Sequence, residues 1–497
     1  THYQKIWVSV SIYLVVIGWF YSIGTLISLF QNKIFLSEIA IARFQRSVKN
    51  MEENFVIVLG YNETTREIIK RLLAAKMRVV VVEIDQDRAD YLQLEGFVPN
   101  VPILVKDAHN PNALEYAGIK SPYCKGVISI FEDNALNLRI TLAAKLLNPY
   151  VNVVVKATTA EEAENLRDAH ADIANNPFLI ISYQLQMALT APSLFKLENW
   201  LYRRDTLESK TFSIPSSDIV ICGYGRLGSS ICKMFMKNNI NPTIIESDDA
   251  RVKAANFAGV KKIIHGNADD HYYLDTANIN EAKLIIIATQ DDTTNLSILS
   301  TVKKVNKDAL IIVRENDITD FSIFSKAKID HLYIPERILI QKTTNALSNP
   351  LSDRLIQMLP KKDEAWGHNL LASLIQKIGI DPIAYELNIT KKDAREIYDY
   401  IEDSQNCIHL GMLKLSRRDR NQKNNVLPLL IVRGQEEILL PSDDTKLCKD
   451  DKILFACDDN ATQDIEYIAN NAYEFAYIIS GEEKKNCFEK NKEGVET

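Results

Sequence analysis

Apolar and polar positions fall into three regimes along this chain. In the first, from Ile6 to Phe30, the run IWVSVSIYLVVIGWFYSIGTLISLF contains no charged residue. At about 1.5 Å per residue, such a run makes a helix of about 37 Å, longer than the roughly 30 Å hydrocarbon core of a bilayer. It reads as a membrane span, because neither the shorter apolar core nor the small-residue cleavage site of a signal peptide is visible. Lys33, Arg43, Arg46 and Lys49 follow it, against only Lys5 before it. That asymmetry places everything downstream in the cytoplasm, with the span in the inner (plasma) membrane.

In the second regime, short apolar runs alternate with segments of helical spacing. Ile219 to Cys222 is an apolar run, and Gly223, Gly225 and Gly228 follow. Ile231, Phe235 and Met236 then recur at near-helical spacing, and a second apolar run ends in Glu246. Strand, glycine-rich turn, helix, strand and acid in this order predict a dinucleotide-type fold. Gly223 permits the tight turn, Gly225 lets backbone N–H groups approach a pyrophosphate, and Gly228 allows close packing of helix on strand. Glu246 can accept from a ribose hydroxyl while repelling a 2′-phosphate, which favours NAD(H) or an adenine nucleotide over NADP(H).

The same pattern occurs earlier, in NFVIVLGYNETTREIIKRLLAAKMRVVVVEID. Gly60 and Gly223 are 163 positions apart, as are Glu83 and Glu246, and Gly96 and Gly259. Asn137 matches Asn295 and Lys156 matches Arg314, a few residues having been lost between. The chain therefore contains an internal duplication. In the first copy Asn62 and Thr65 stand where the second and third glycines stand in the other, so side chains intrude where a pyrophosphate would approach. That copy reads either as a second nucleotide site or as a structural partner. Glu83, Asp85, Asp87 and Asp107 form a solvated acidic face or attract a cation such as Ca2+.

The third regime begins after residue 360, where the runs NVLPLLIVRG, QEEILLP and DKILFAC predict a small α+β domain. The last stretch, GEEKKNCFEKNKEGVET, is charged and reads as a disordered tail. The expected divisions are a span at 1–32, a linker at 33–53, a first domain at 54–205, and a polar boundary at 206–217. A second domain at 218–360, a small domain at 361–470 and a tail at 471–497 complete the chain. Its 497 residues exceed one core, and a net charge of −7 gives no general pull toward nucleic acid. The seven cysteines include no C-x-x-C pair, which fits reduced thiols better than disulfides or a zinc site.

The segments VICGYGRLG, IIESDD, HGNADDHYYLDTANINEAKLIIIATQDDTTNL and LIIVREND resemble the RCK domain, the regulator of potassium conductance of channels and Trk/Ktr-type transport systems. EILLPSDDTKLCKDDKILFACD is similar to the small C-terminal (TrkA-C-like) subdomain that follows it. A membrane helix leading into two such domains resembles bacterial tandem-RCK potassium channels. The resemblance implies an α/β fold with two tandem Rossmann-like, doubly wound parallel sheets. It also implies a pore-lining helix at Ile6 to Phe30, with the outer helix, pore helix and filter expected before Thr1, and a homotetramer with a gating ring. Carried over, phosphate contacts fall on Gly223, Gly225, Arg226 and Gly228, and ribose on Glu246. Asn267, Ala268 and Asp269 lie near adenine, with Thr289 on the opposite lip and Arg314 toward phosphate. Gly24 or Gly18 is a hinge or a packing position in the pore helix.

The function so implied is the gating part of a K+ channel regulated by NAD(H) or ADP/ATP, and not an enzyme. The regulatory part of a potassium transporter or K+/H+ antiporter is the alternative. An NAD-dependent oxidoreductase is disfavoured because the eight histidines form no recognisable acid–base constellation.

Overall fold

A computed structural model describes residues 2–209, 214–316, 321–327, 329–404 and 407–481. The charged stretch from 482 onward, and residues 210–213 of the expected polar boundary, lie outside the described residues. The chain divides into two compact units, Thr1–Asn176 and Pro177–Thr497.

The first unit opens with a continuous helix, His2–Gln31, long and apolar enough to cross a membrane. Its large side chains stand exposed, Trp7 and Tyr13 among them. Its polar side chains satisfy themselves on the helix backbone: Ser22 Oγ donates to Gly18 O at 2.8 Å and Thr25 Oγ1 to Tyr21 O at 2.8 Å. That is how a hydroxyl is accommodated where water is absent. Gly18 and Gly24 lie in an unbroken helix with open space beside them. A second helix, Lys33–Lys49, fills the expected linker, and Phe44 and Val48 are buried in the core of the domain that follows.

That domain is built on six parallel strands: β1 (Phe55–Leu59), β2 (Arg78–Glu83), β3 (Ile103–Val105), β4 (Cys124–Ser129), β5 (Asn152–Lys156) and β6 (Ile173–Asn175). Their order across the sheet is β3-β2-β1-β4-β5-β6. The second unit contains β7 (Ile219–Cys222), β8 (Thr243–Glu246), β9 (Lys262–His265), β10 (Leu284–Ile287), β11 (Leu310–Arg314) and β12 (His331–Tyr333). These run β9-β8-β7-β10-β11-β12, the same topology. The central strands β1, β7 and β10 are buried at every residue, as parallel strands covered on both faces must be. The duplication read from glycine spacing is thus a duplication of fold.

A smaller antiparallel sheet closes the chain, with β13 (Ile383–Asn388), β14 (Val426–Arg433), β15 (Glu436–Leu439) and β16 (Lys452–Cys457) in the order β13-β16-β14-β15. The helix Ala472–Ser480 packs Phe475 and Ile478 into its core. The class is therefore α/β with two doubly wound parallel sheets, an added α+β subdomain and an N-terminal apolar helix.

The helices Pro177–Thr190 and Pro192–Leu201, placed by sequence with the first copy, pack in the second unit. Ile181, Leu185 and Leu197 share a core with Ile231 and Phe235. Ser182 Oγ donates to Ser230 O at 3.1 Å, and Trp200 Nε1 to Pro382 O at 2.7 Å. Amphipathic spacing identifies such helices but does not say which sheet they cover.

The six described cysteines are all free thiols. Burial pushes the Cys124 and Cys222 thiols up to about 12, so they stay protonated and unreactive.

The tightest constraint lies where β7 meets the next helix, Arg226–Lys237. A Cβ at Gly228 would sit 2.0 Å from Gly223 O. Gly228→Ala is expected to cost about 2 kcal/mol by overpacking, seen as a lower apparent Tm of the detergent-solubilised chain. An unchanged Tm would mean that helix and turn are not pressed together.

Candidate functional site

In a doubly wound sheet, the two central strands send their chains in opposite directions, and a crevice opens at their carboxyl ends. Here those strands are β7 and β10. Gly223, with φ of +98°, turns the chain out of β7, and a Cβ there would lie 3.1 Å from Ala288 O and 3.2 Å from Thr289 N. The turns after β7 and β10 therefore touch, bringing Gly223 and Thr289 onto the two lips of one crevice.

Gly225 is the N-cap of the helix Arg226–Lys237, and no side chain caps it. The cap position thus offers the first amides no side-chain acceptor, and they carry the positive end of the helix dipole. Arg226 is the first helical residue. Gly228 presses the helix onto the strand turn, as the spacing predicts.

Glu246 ends β8 and is only 5% exposed. Its carboxylate accepts from Tyr224 N at 2.6 Å and from Ser247 N and Asp248 N at 2.9 Å each. It thus clamps the glycine-rich turn to the end of the neighbouring strand. Arg251 Nη1 stands 3.9 Å from it. Asn267, Ala268 and Asp269 follow β9 on the same edge: Gly266 N donates to Glu246 O, and Asn267 Oδ1 accepts from Asp269 N at 3.1 Å.

On the other lip, Thr289 Oγ1 donates to Asn295 Oδ1 at 2.6 Å, and Asn295 Nδ2 donates to Arg314 O at 2.9 Å. Asn295, fully buried, is the bracket that joins the ends of β10 and β11. Arg314 is 6% exposed, and neither its Nε nor its Nη1 has a hydrogen-bond partner. Burial, then the charge of Arg226, lowers its pKa to about 10; Glu336 and Asp292 oppose the shift, and Arg251 adds to it. Three guanidiniums thus converge on one crevice, the most buried of them with unmet donors, and an anion is what such a set would accept.

The first copy serves as an internal comparison. Glu83 makes the same clamp, accepting from Tyr61 N at 2.5 Å, Ile84 N at 2.8 Å and Asp85 N at 2.9 Å. Asn137 makes the same bracket, Nδ2 donating to Lys156 O at 3.0 Å. The helix N-terminus differs. Asn62 Oδ1 accepts from Thr65 N at 2.9 Å, and Thr65 Oγ1 accepts from Asn62 N at 2.8 Å, a reciprocal capping box. The strand-end cation differs too, since Lys156 is paired with Glu132. Clamp and bracket belong to the fold, whereas the open helix end and the unpaired arginine belong to the second copy alone.

Two further acids of the first copy, Asp85 and Asp107, serve local structure. Asp85 caps the helix Gln86–Leu94, and Asp107 accepts from His109 N, which holds its carboxyl below the usual range. Among the described residues, no three acid, His or Cys side chains gather to hold a metal ion.

Residues 56–177 and 219–335 each match the TrkA-N domain family. Both copies thus match one and the same domain family. Potassium channel protein 1 of Methanocaldococcus jannaschii is 23% identical over 200 residues, 40% of this chain and 59% of that protein. A Trk system potassium uptake protein TrkA homolog of Pyrococcus abyssi is 22% identical over 255 residues, half of this chain and 96% of that protein. This chain thus spans about three fifths of the channel protein's length. Among solved structures, the GsuK channel aligns over 87% of this chain and 80% of that one at 14% identity, with a TM-score of 0.51. The same channel bound to NAD aligns over 84% and 79% at 13% identity, with a TM-score of 0.50. At that identity the likeness is one of fold.

The contrast between the copies gives a direct test. Gly225→Asn places in the second copy the residue that caps the first. Stability is expected to hold or rise by a few tenths of a kcal/mol, while binding of ADP or NAD+ is lost in calorimetry. Binding at wild-type strength would show that the open amides are not used.

Proposed function

We propose that this chain is the gating part of a ligand-regulated potassium channel. Its two TrkA-N domains would lie in the cytoplasm, and the second would bind an adenine nucleotide, NAD(H) or ADP/ATP. The observation that carries this reading is Arg314, buried beside an uncapped helix N-terminus with two nitrogens unmet. A diphosphate supplies what that geometry lacks: acceptors for amides that glycine leaves uncapped and for the two unmet nitrogens of Arg314.

Gly223, Gly225, Arg226 and Gly228 would form the phosphate side of the site. Asn267, Ala268 and Asp269 would border the adenine, beside Glu246, whose one remaining lone pair, on Oε2, would meet the ribose. Thr289 would close the opposite lip. The resemblance to potassium channels supports K+ as the conducted ion, a plasma-membrane location for the helix His2–Gln31, and a homotetramer whose domains form a gating ring. The role is sensing: the nucleotide shifts a conformational equilibrium and undergoes no reaction.

A ligand shifts such an equilibrium only by its difference in affinity for two states, about 5.5 kcal/mol for a full reversal from 1:99 to 99:1. Four copies of one site in a ring would share that requirement. The TrkA homolog, covered almost end to end, favours a second reading as the regulatory part of a potassium transporter. The fully exposed apolar helix supports the membrane-attached reading instead.

The test is calorimetric titration of the full chain in detergent with NAD+, NADH, ADP and ATP, beside Arg314→Met. The wild type is expected to bind at least one of them saturably. The variant is expected to bind at least tenfold more weakly. Wild-type protein that binds none of the four would overturn the nucleotide reading.

A further inference from the structure

The two arginines of the second site share a neighbour that the glycine-rich motif does not contain. Phe178, 4% exposed, is the second residue of the helix Pro177–Thr190. The Arg226 guanidinium carbon lies 4.7 Å from its ring centroid, and that of Arg314 lies 5.1 Å away. Two like charges would otherwise push apart, and the electron-rich ring gives both a common surface. The ring is itself fixed, because its helix is held against Arg226–Lys237 by Ser182 and by Ile181 and Leu185 in the core.

The duplication shows that the arrangement is particular. Pro177 and Pro335 begin corresponding helices, and the residue after Pro335 is Glu336. Glu336 also acts on Arg314, its negative charge favouring the charged guanidinium. The second copy's own helix thus brings a carboxylate toward Arg314, while the helix that follows the first copy brings an aromatic ring to both arginines. Phe178 is also two residues past Asn176, where the first compact unit ends.

We propose that Phe178 is a positioning residue of the nucleotide site, holding Arg226 and Arg314 side by side, and that phosphate binding to these arginines is thereby reported on residues 177–190. The inference rests on the nucleotide reading above and adds to it a specific route out of the site. Drawing the two guanidiniums onto phosphate oxygens changes how they lie on the ring, and the ring stands at the start of the first helix after the unit boundary. That helix therefore responds to occupancy.

The experiment uses the full chain in detergent, with NAD+ and ADP as probes, and compares Phe178→Leu and Phe178→Tyr with wild type. Phe178→Leu keeps apolar volume and removes the π face; Phe178→Tyr keeps both. Calorimetry is expected to show about a tenfold loss of affinity in Phe178→Leu and near wild-type affinity in Phe178→Tyr. Hydrogen exchange is expected to slow across residues 177–190 when nucleotide binds wild type or Phe178→Tyr, and to stay unchanged in nucleotide-saturated Phe178→Leu. Equal affinity of wild type and Phe178→Leu would overturn the positioning role. Unchanged exchange of 177–190 in saturated wild type would overturn the report, whatever the variants do. Absence of binding by wild type would overturn the nucleotide reading and this inference together.

Discussion

Every α-helix begins with amide groups that have no partner inside the helix, and the structure turns on how two such beginnings are satisfied. Both copies run a buried strand into a helix through a turn of the same length and register. In the first, the chain supplies its own acceptors through Asn62 and Thr65. In the second, glycine at the cap withholds a side chain, and the cap supplies no acceptor. A protein that only needed a stable turn has the better solution in the first copy. Keeping the open one is consistent with a ligand that provides the missing acceptors.

The electrostatics follow the same division. Lys156 in the first copy sits with Glu132, so that strand end is neutral on its own. At the matching place in the second copy stands Arg314, buried with two nitrogens unmet, where Glu336 and Asp292 act against the charges of Arg226 and Arg251. Burying cationic donors without acceptors destabilises the empty protein. The same imbalance is what an anion would relieve, so the stability sacrificed in the empty state would reappear as binding free energy. Phe178 limits the conflict by giving Arg226 and Arg314 one surface to rest on.

Much of this was legible in the chain. The spacing of Gly60, Glu83 and Gly96 against Gly223, Glu246 and Gly259 gave the duplication, and the strand order bears out two equivalent sheets. Asn62 and Thr65 in place of glycines marked the first copy as different, although spacing alone could not show that they would cap each other. Glu246 was legible as an acid at the right distance. Its three backbone hydrogen bonds were not, because they depend on where the following turn places its amides. Phe178 was hidden for a different reason: it reaches the site from a helix far away in sequence, whose apolar stripe does not say which core it will join.

The most direct test of this asymmetry is a cryo-electron microscopy structure of the full chain with saturating NAD+. The expected result is a pyrophosphate bound at the amides that follow Gly225, within hydrogen-bond reach of Arg226 or Arg314, and an empty turn at Asn62 with its capping box intact. Nucleotide at the Asn62 turn, or phosphates away from the helix beginning at Arg226, would contradict it.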